Sequence, residues 1–591
     1  MKKIFKMLFG RLTLIALLII LQFLLFVWWV TDASLRFNWV YIVNTVISVL
    51  VFLHIVNRKM NTESKLTWVA VVLMMPVFGA LAYILFSESR LSPKQRRNFR
   101  DVYYVTKDSL DYYFAKAGGK MPDTGDYLGQ NNYIKSMCNL PSYADTQTEY
   151  YPFGEDFFTA LQAELEKAEH FIFMEYFIVE EGEMWNTLLE ILSRKAAAGV
   201  EVRFMYDDIG SISKVPAKYC KKLQKLGIKA QRFNPFRPIL TGIHNNRDHR
   251  KITVVDGVVG FVGGANLADE YINRTSPYGI WKDSAVRLKG AAVRALTTMF
   301  LQMYDMQAGK VEDFAPYLTP EAETKAEGVV QFFVDGPKPI NDDYVAKNVY
   351  LNVFNGAKKY LYITTPYLIP DGEIVNALQL AAKRGVDVRI VTPQIPDKKL
   401  VFNITRSNYK RLMDYGVKIY EFKDGFIHAK NVLCDDDVGI VGTINLDYRS
   451  MMHHYECGVW MYKSYALHGM KDDFEKTFLL SVRQDEKSAK MGIFKRLFCG
   501  ICAVFAPLLY KEGLRLEAAF AAGGAKAEQV SVRRRFDNAP ENIGALFSFA
   551  EGARLIVVCE SECYDVAAYF AALKKLPLLY IAFSPEADGV L

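Results

Sequence analysis

The chain repeats itself, and this constrains the fold more than any single motif, because whatever one copy forms the other must also be able to form. AEHFIFMEYFIV (Ala168 to Val179) is echoed by AKKYLYITTPYLI (Ala357 to Ile369), and AAGVEVRFMYD (Ala197 to Asp207) by KRGVDVRIVTP (Lys383 to Pro393). In each copy an apolar strand follows a helix, a glycine then closes a second helix, and an alternating Val-x-Val-Arg strand begins. The order is kept while loops shorten by a few residues. Strand, helix and strand recurring in this way predict an α/β class with a mixed, largely buried sheet in each half. Two such halves pack most simply about a pseudo-twofold axis, which sets equivalent residues face to face.

The repeats occupy 149–325 and 326–485, after a segment at 91–148 whose polar, aromatic and glycine-rich text reads as a connector. Behind them, 486–511 combines Lys490, Lys495 and Arg496 with a short apolar run and reads as an amphipathic interfacial segment. The extension 512–591 holds two apolar strand candidates, Arg554 to Glu560 and Leu576 to Ser584, flanking a helix at Tyr564 to Lys575, which makes one βαβ unit.

Residues 1–90 carry three apolar stretches, Leu12 to Val30, Phe37 to Val56 and Thr67 to Phe86. Each is about 20 residues long, enough as a helix to cross a hydrocarbon core of roughly 30 Å. The reading is a multi-pass anchor of two or three transmembrane helices in the cell membrane, with the body on the cytoplasmic side. Basic residues border both ends of the anchor, Lys2, Lys3, Lys6 and Arg11 before it and Arg90, Lys94, Arg96, Arg97 and Arg100 after it. Three full spans cannot place both ends on the positive, cytoplasmic side. Either one stretch is re-entrant or interfacial, or the charge rule fails at one end; Pro76 and Gly79 interrupt the third stretch, and Asn44 the second.

A net charge of +7 is modest for 591 residues and gathers beside the apolar stretches, which suits an anionic membrane surface rather than a nucleic-acid groove. The eight cysteines show no disulfide-framework spacing and read as reduced thiols.

Only eight histidines occur, and two stand in one pattern. His249-Arg-Lys251-Ile-Thr-Val-Val-Asp256 and His428-Ala-Lys430-Asn-Val-Leu-Cys-Asp435 both read H-x-K-x4-D, one in each half. On a strand, residues i and i+2 share a face, so each imidazole and its ammonium converge on one pocket. There the lysine can hold non-bridging phosphate oxygens while the histidine acts as nucleophile. A small-residue turn ending in asparagine follows each motif, Gly263-Gly264-Ala265-Asn266 and Gly442-Thr443-Ile444-Asn445. Glycines such as Gly264 permit close backbone approach, Thr443 holds the matching place in the second turn, and Asn266 and Asn445 can donate to a phosphate oxygen without adding charge. No carboxylate cluster of cation-ligand spacing surrounds the histidines, so the expected site uses neither metal nor cofactor. His54, His170, His244 and His468 read as structural, and His453 and His454 as ordinary packing.

The paired motifs with their turns, in the contexts NRDHRKITVVDGVVGFVGGANLADEY (Asn246 to Tyr271) and GFIHAKNVLCDDDVGIVGTINLDYRS (Gly425 to Ser450), resemble the phospholipase D superfamily, and within it the bacterial cardiolipin synthases. The resemblance runs over roughly 37–509. Thr443 stands where serine is common, and the first apolar stretch and the tail lie outside the pattern. It implies two phospholipase D-like repeats behind a membrane anchor. It also implies transfer of a phosphatidyl group from one phosphatidylglycerol to another, giving cardiolipin and glycerol through a phosphatidyl-histidine. By that analogy His249 is the nucleophile and His428 the acid/base. Glu456 matches a family pocket residue, with Asp283 as its counterpart in the first half. Asp256 and Asp435 are expected to orient the imidazoles or the partner half.

Overall fold

The computed structural model describes residues 38–485 apart from 59, 75–78, 81–82, 85–86, 88–92, 117–120, 236–245, 319–325, 338–340 and 342. It also describes short pieces between 487 and 502 and the strands at 556–558 and 578–580. A unit ending at Ala519 holds both repeats, and a second unit begins at Phe520.

After a two-residue strand β1 (Ser142–Tyr143), the first half runs through β2 (Thr146–Tyr151), β3 (Phe171–Tyr176), β4 (Glu201–Asp207), β5 (Lys229–Phe233), β6 (Ile252–Val255), β7 (Val259–Gly263), β8 (Ile280–Lys282) and β9 (Ala285–Gly290). The second half runs through β10 (Val329–Asp335), β11 (Tyr360–Thr364), β12 (Asp387–Pro393), β13 (Lys418–Phe422), β14 (Gly425–Ile427), β15 (Asn431–Cys434), β16 (Val438–Gly442), β17 (Glu456–Tyr462) and β18 (Ser481–Arg483). Helices Glu183–Ala197 and Gly372–Lys383 cross between the equivalent pairs β3–β4 and β11–β12. Those pairs are parallel, as the buried apolar runs require, whereas β6 and β7, like β15 and β16, add antiparallel hairpins.

The two sheets have the same strand order. The first reads β2-β9-β7-β6-β3-β4-β5; the second reads β10-β17-β16-β15-β11-β12-β13, extended at its edges by β1 and β18. Every residue of β3, β6, β7, β15 and β16 is buried, so the central strands lack the in-out alternation of a half-exposed sheet.

The stretch read as a connector is more ordered than its composition indicates. It holds helices Pro93–Lys116 and Leu128–Cys138, and β1 from the same region caps the edge of the second sheet. Its described glycines, Gly125 and Gly129, sit before and at the start of the second helix, where they do not interrupt the apolar faces that bury Val102, Leu110 and Ile134. In the tail, β19 (Ile556–Val558) and β20 (Leu578–Tyr580) pair in parallel, and the helix expected between them lies outside the described residues.

Of the three apolar stretches, Leu12 to Val30 lies outside the described residues. The second forms helix Asn38–Asn57, and the third begins as helix Thr62–Met74. Among the described residues no helix is long and apolar enough to cross a membrane.

Candidate active site

The two halves meet by exchanging backbone. β8 of the first half pairs in parallel with β14 of the second, and Asp248 bridges Tyr455. His249 N donates to Tyr455 O at 2.9 Å, and His428 N donates to Lys282 O at 2.7 Å. Each histidine is thus delivered by a bridge to the opposite half, beside the residue that follows its partner carbonyl. Those residues are Glu456 and Asp283.

The side chains complete the exchange. His249 Nδ1 lies 3.0 Å from Glu456 Oε2, and His428 Nδ1 lies 2.6 Å from Asp283 Oδ2, all four residues being buried. A carboxylate that accepts from Nδ1–H fixes the tautomer and leaves the Nε2 lone pair for chemistry. The register confirms that the acids are equivalent. Ala285 pairs with Gly263 and Gly458 with Gly442, so Asp283 and Glu456 each stand two residues ahead of the matching position.

The turn residues now acquire distinct tasks. Thr443 Oγ1 donates to the Glu456 carboxylate. At the equivalent position a Cβ on Gly264 would come within 2.1 Å of Asp283 Oδ1, so the shorter acid occupies the space a side chain would take. Asn266 accepts from Ile178 N at 3.0 Å and donates to Tyr271 Oη at 2.6 Å, which ties it to the protein; Asn445 Oδ1 has no hydrogen-bond partner among the described residues.

The H-x-K pairs are not within their strands, because β6 starts at Ile252 and β15 at Asn431. They occupy the extended segments that make the inter-half bridges. Lys251 Nζ turns to His249 O at 2.5 Å and lies over the Phe177 ring, which packs edge-on against His249. Lys430 Nζ stands 2.8 Å from His428 Nδ1, and the rings of Trp281, Tyr271 and Phe426 surround that histidine.

Asp256 and Asp435 correct the expectation that they orient imidazoles. Asp256 accepts from the backbone N–H groups of Glu169, His170 and Phe171 at 2.7–2.8 Å, and Asp435 from those of Lys358, Lys359 and Tyr360. Both have positive φ, 53° and 57°, in the tight turns that close β6 and β15. The motif's final residue therefore lies at the opposite end of the strand from its histidine. We expect Asp256→Asn to cost about 1–3 kcal/mol of stability, seen as a lower Tm, while turnover per folded molecule stays within about threefold.

Sequence reasoning missed the two arginines packed behind the first histidine, whereas Glu175 was expected as part of the pocket wall. Arg250, the variable residue of H-x-K, is buried and donates to Glu175 at 2.7 Å and to Asp248 at 3.3 Å, and Glu175 is pushed up by burial. Arg247, also buried, holds Asp207 at 3.3 Å and Asn234 O at 3.0 Å. Ala429 replaces Arg250 in the second half, so no repeat-based signal marked the network.

His454, expected to be ordinary packing, has its Nδ1 3.5 Å from Glu456 Oε1, while Thr443 donates to the other carboxylate oxygen. His249, His454 and Glu456 present donor atoms within 4.8 Å of one another, the group among the described residues with metal-ligand spacing. The fold assembles this trio from distant segments, so local spacing could not reveal it. Direct hydrogen bonding between His249 and Glu456 accounts for that contact without an ion.

Burial lowers His428 to about 4, Lys430 adding to the effect and Asp283 opposing it. Asp283 itself is lowered, since Lys430 and His428 outweigh the effect of burial. Lys251, from the other half, also bears on His428, so the two H-x-K pairs share one electrostatic field. Burial takes His454 to about 3. Between pH 6.5 and these values the unfolded chain binds protons that the native protein does not, so stability present above pH 6.5 is lost on acidification. Each group contributes at most roughly 1.4 kcal/mol per pH unit. Thermal melts from pH 7 to 5 should show a falling Tm, with a shallower slope in His454→Gln; an unchanged slope would mean that His454 titrates normally.

Two equal α/β halves, each placing a histidine against an acid of the other, define a phosphodiester-handling enzyme of the phospholipase D kind. The family model described as cardiolipin synthase, PLD-like domain, matches residues 161–303 and 350–478, and the model described as phospholipase D-nuclease N-terminal matches 46–88. A cardiolipin synthase of Geobacillus kaustophilus is 34% identical over 475 residues, covering 79% of this chain and 92% of that one. One from Halalkalibacterium halodurans is 32% identical over 479 residues, covering 79% and 92%. An uncharacterized protein of Streptococcus mutans is 42% identical over 465 residues, 77% of this chain and 99% of that one. The chain belongs to the bacterial cardiolipin synthases of the phospholipase D superfamily, and it is a phosphatidyltransferase.

Proposed function

We propose that the protein is a membrane-bound cardiolipin synthase that transfers a phosphatidyl group from one phosphatidylglycerol to the hydroxyl of another through a covalent intermediate on His249. The observation that carries this reading is the reciprocal pairing of His249 with Glu456 and of His428 with Asp283. His249 Nε2 attacks phosphorus and the phosphorus–oxygen bond to glycerol breaks; the departing oxygen takes its proton from the imidazolium form of His428, which burial disfavours in the unliganded protein and the negative charge of a bound phosphate favours. The second phosphatidylglycerol then gives its hydroxyl proton to His428 and attacks phosphorus, and His249 leaves. Lys251 and Lys430 neutralise the charge that gathers on the non-bridging oxygens. Neither step calls on a metal ion.

Membrane association rests on the match to the family's N-terminal model at 46–88 and on apolar side chains that helices Asn38–Asn57 and Thr62–Met74 leave exposed, among them Leu50, Leu53, Leu66 and Met74. The body is assigned to the cytoplasmic face, where basic residues border the anchor.

Purified protein in detergent, incubated with phosphatidylglycerol as the only lipid and with EDTA, should yield cardiolipin and an equal amount of glycerol. Phosphatidic acid in place of cardiolipin would make the enzyme a hydrolase. A requirement for added divalent metal would contradict the mechanism.

A further inference from the structure

The third apolar stretch, Thr67 to Phe86, has a length that fits a membrane span, but its contacts do not. Helix Thr62–Met74 leads away from the loop that starts it, and Gly79 and Tyr83 lie back against residues of that helix and loop. A Cβ on Gly79 would lie 2.4 Å from Val71 O and 2.7 Å from the Cα of Val72. In one continuous helix Gly79 would sit roughly 12 Å along the axis from Val71. Tyr83 returns further still. Its ring meets Trp68 edge-on at 5.4 Å and His54 at 5.9 Å, and Arg58 Nη1 donates to its hydroxyl at 3.2 Å. Arg58 belongs to the loop before the helix, so Tyr83 is level with the point of departure.

Both ends of this excursion are fastened to the catalytic body. At the start, Asn61 Nδ2 donates to Asp371 Oδ2 at 3.1 Å, and Glu63 Oε1 accepts from Gly372 N at 2.7 Å, at the beginning of helix Gly372–Lys383. At the far end, helix Pro93–Lys116 lies on helix Val293–Ala308, where Asn98 Nδ2 donates to Met306 O at 3.4 Å and Gln302 Nε2 to Thr106 Oγ1 at 2.7 Å. A segment tied to one soluble body before and after cannot end on opposite sides of a bilayer.

Resting on the membrane-bound reading above, we propose that helix Thr62–Met74 and the returning residues Gly79, Tyr83 and Ile84 are the two limbs of a re-entrant hairpin that enters one leaflet of an anionic bilayer and leaves by the same face. Helix Thr62–Met74, with 13 residues, reaches about 20 Å, short of a core of roughly 30 Å. Its far end is apolar and open, with Leu73 58% and Met74 77% exposed, and Ile84 on the returning piece is 70% exposed. Arg58 and Lys65 at the entrance and Arg96, Arg97 and Arg100 after the exit then stand at one membrane face, together with the body. The stretch contributes no crossing, which removes the conflict between three apolar stretches and two basic ends.

The test uses the full chain in membrane vesicles of known orientation. Asn57→Cys and Arg96→Cys, made separately, are treated with a membrane-impermeant polyethylene glycol maleimide, and tags are counted against the parent protein. Both sites should gain a tag in the same vesicle orientation. Labelling in opposite orientations would overturn the hairpin alone. For depth, Met74→Cys carrying a fluorophore should be quenched more strongly by lipids brominated deep in the acyl chain than by headgroup quenchers; the reverse order would overturn insertion. Loss of the parent protein from carbonate-washed membranes would overturn the membrane reading and the hairpin with it.

Discussion

His249→Ala should lower phosphatidyl transfer by at least ~10⁴-fold, because it removes the nucleophile that forms the bond to phosphorus. His428→Ala should slow turnover comparably but leave a different trace. With the nucleophile intact and the proton donor and acceptor gone, the first transfer outlasts the second. Phosphatidylated protein then accumulates and is detected as an intact-mass increase of one phosphatidyl group on His249. A near-normal rate in either variant would remove the mechanism. An adduct on His428 instead of His249 would reverse the two roles while keeping the chemistry.

The crossed acids give the second large effect. Glu456→Gln and Asp283→Asn preserve size but replace an acceptor of the Nδ1 proton by an amide that can present either a donor or an acceptor. The favoured imidazole tautomer is lost, and so is the charge that stabilises an imidazolium. Each change is expected to lower the rate by ~10²–10⁴-fold. Glu456 serves Thr443 as well as His249, so its replacement disturbs two contacts, and Asp283 is held against His428 with Lys430 alongside. The decisive measurement is a double-mutant cycle. If Glu456 acts through His249, Glu456→Gln should have little further effect once His249 is alanine, whereas two independent contributions would multiply. The same cycle applies to Asp283 and His428. Multiplying effects within either pair would show that the acid works elsewhere in the site.

How far the site could be read in advance differed from residue to residue. The two H-x-K pairs were legible because the repeat supplied an internal comparison and histidine is rare in this chain. The roles of Asp256 and Asp435 were misread for a physical reason. Motif spacing reports sequence neighbours, but a four-residue strand carries its end away from its beginning, and the turn needs a residue that accepts positive φ and caps free amides. Arg250 stayed hidden because only one half uses it, Ala429 standing at the equivalent position.

By itself the amino-acid sequence determined that there are two α/β halves, that each carries one histidine and one lysine in the same order, and that the apolar stretches precede them. These follow from local rules, namely periodicity, turn residues and repetition, which act between neighbours in the chain. Tertiary structure decided which acid serves which histidine and that Gly79 and Tyr83 of the third apolar stretch pack back against the helix that begins it. Glu456 lies 207 residues from His249 and Asp283 lies 145 residues from His428. Such pairings exist only once the two sheets meet, since hydrogen bonds and ring contacts act over a few ångströms of space, whatever the separation along the chain.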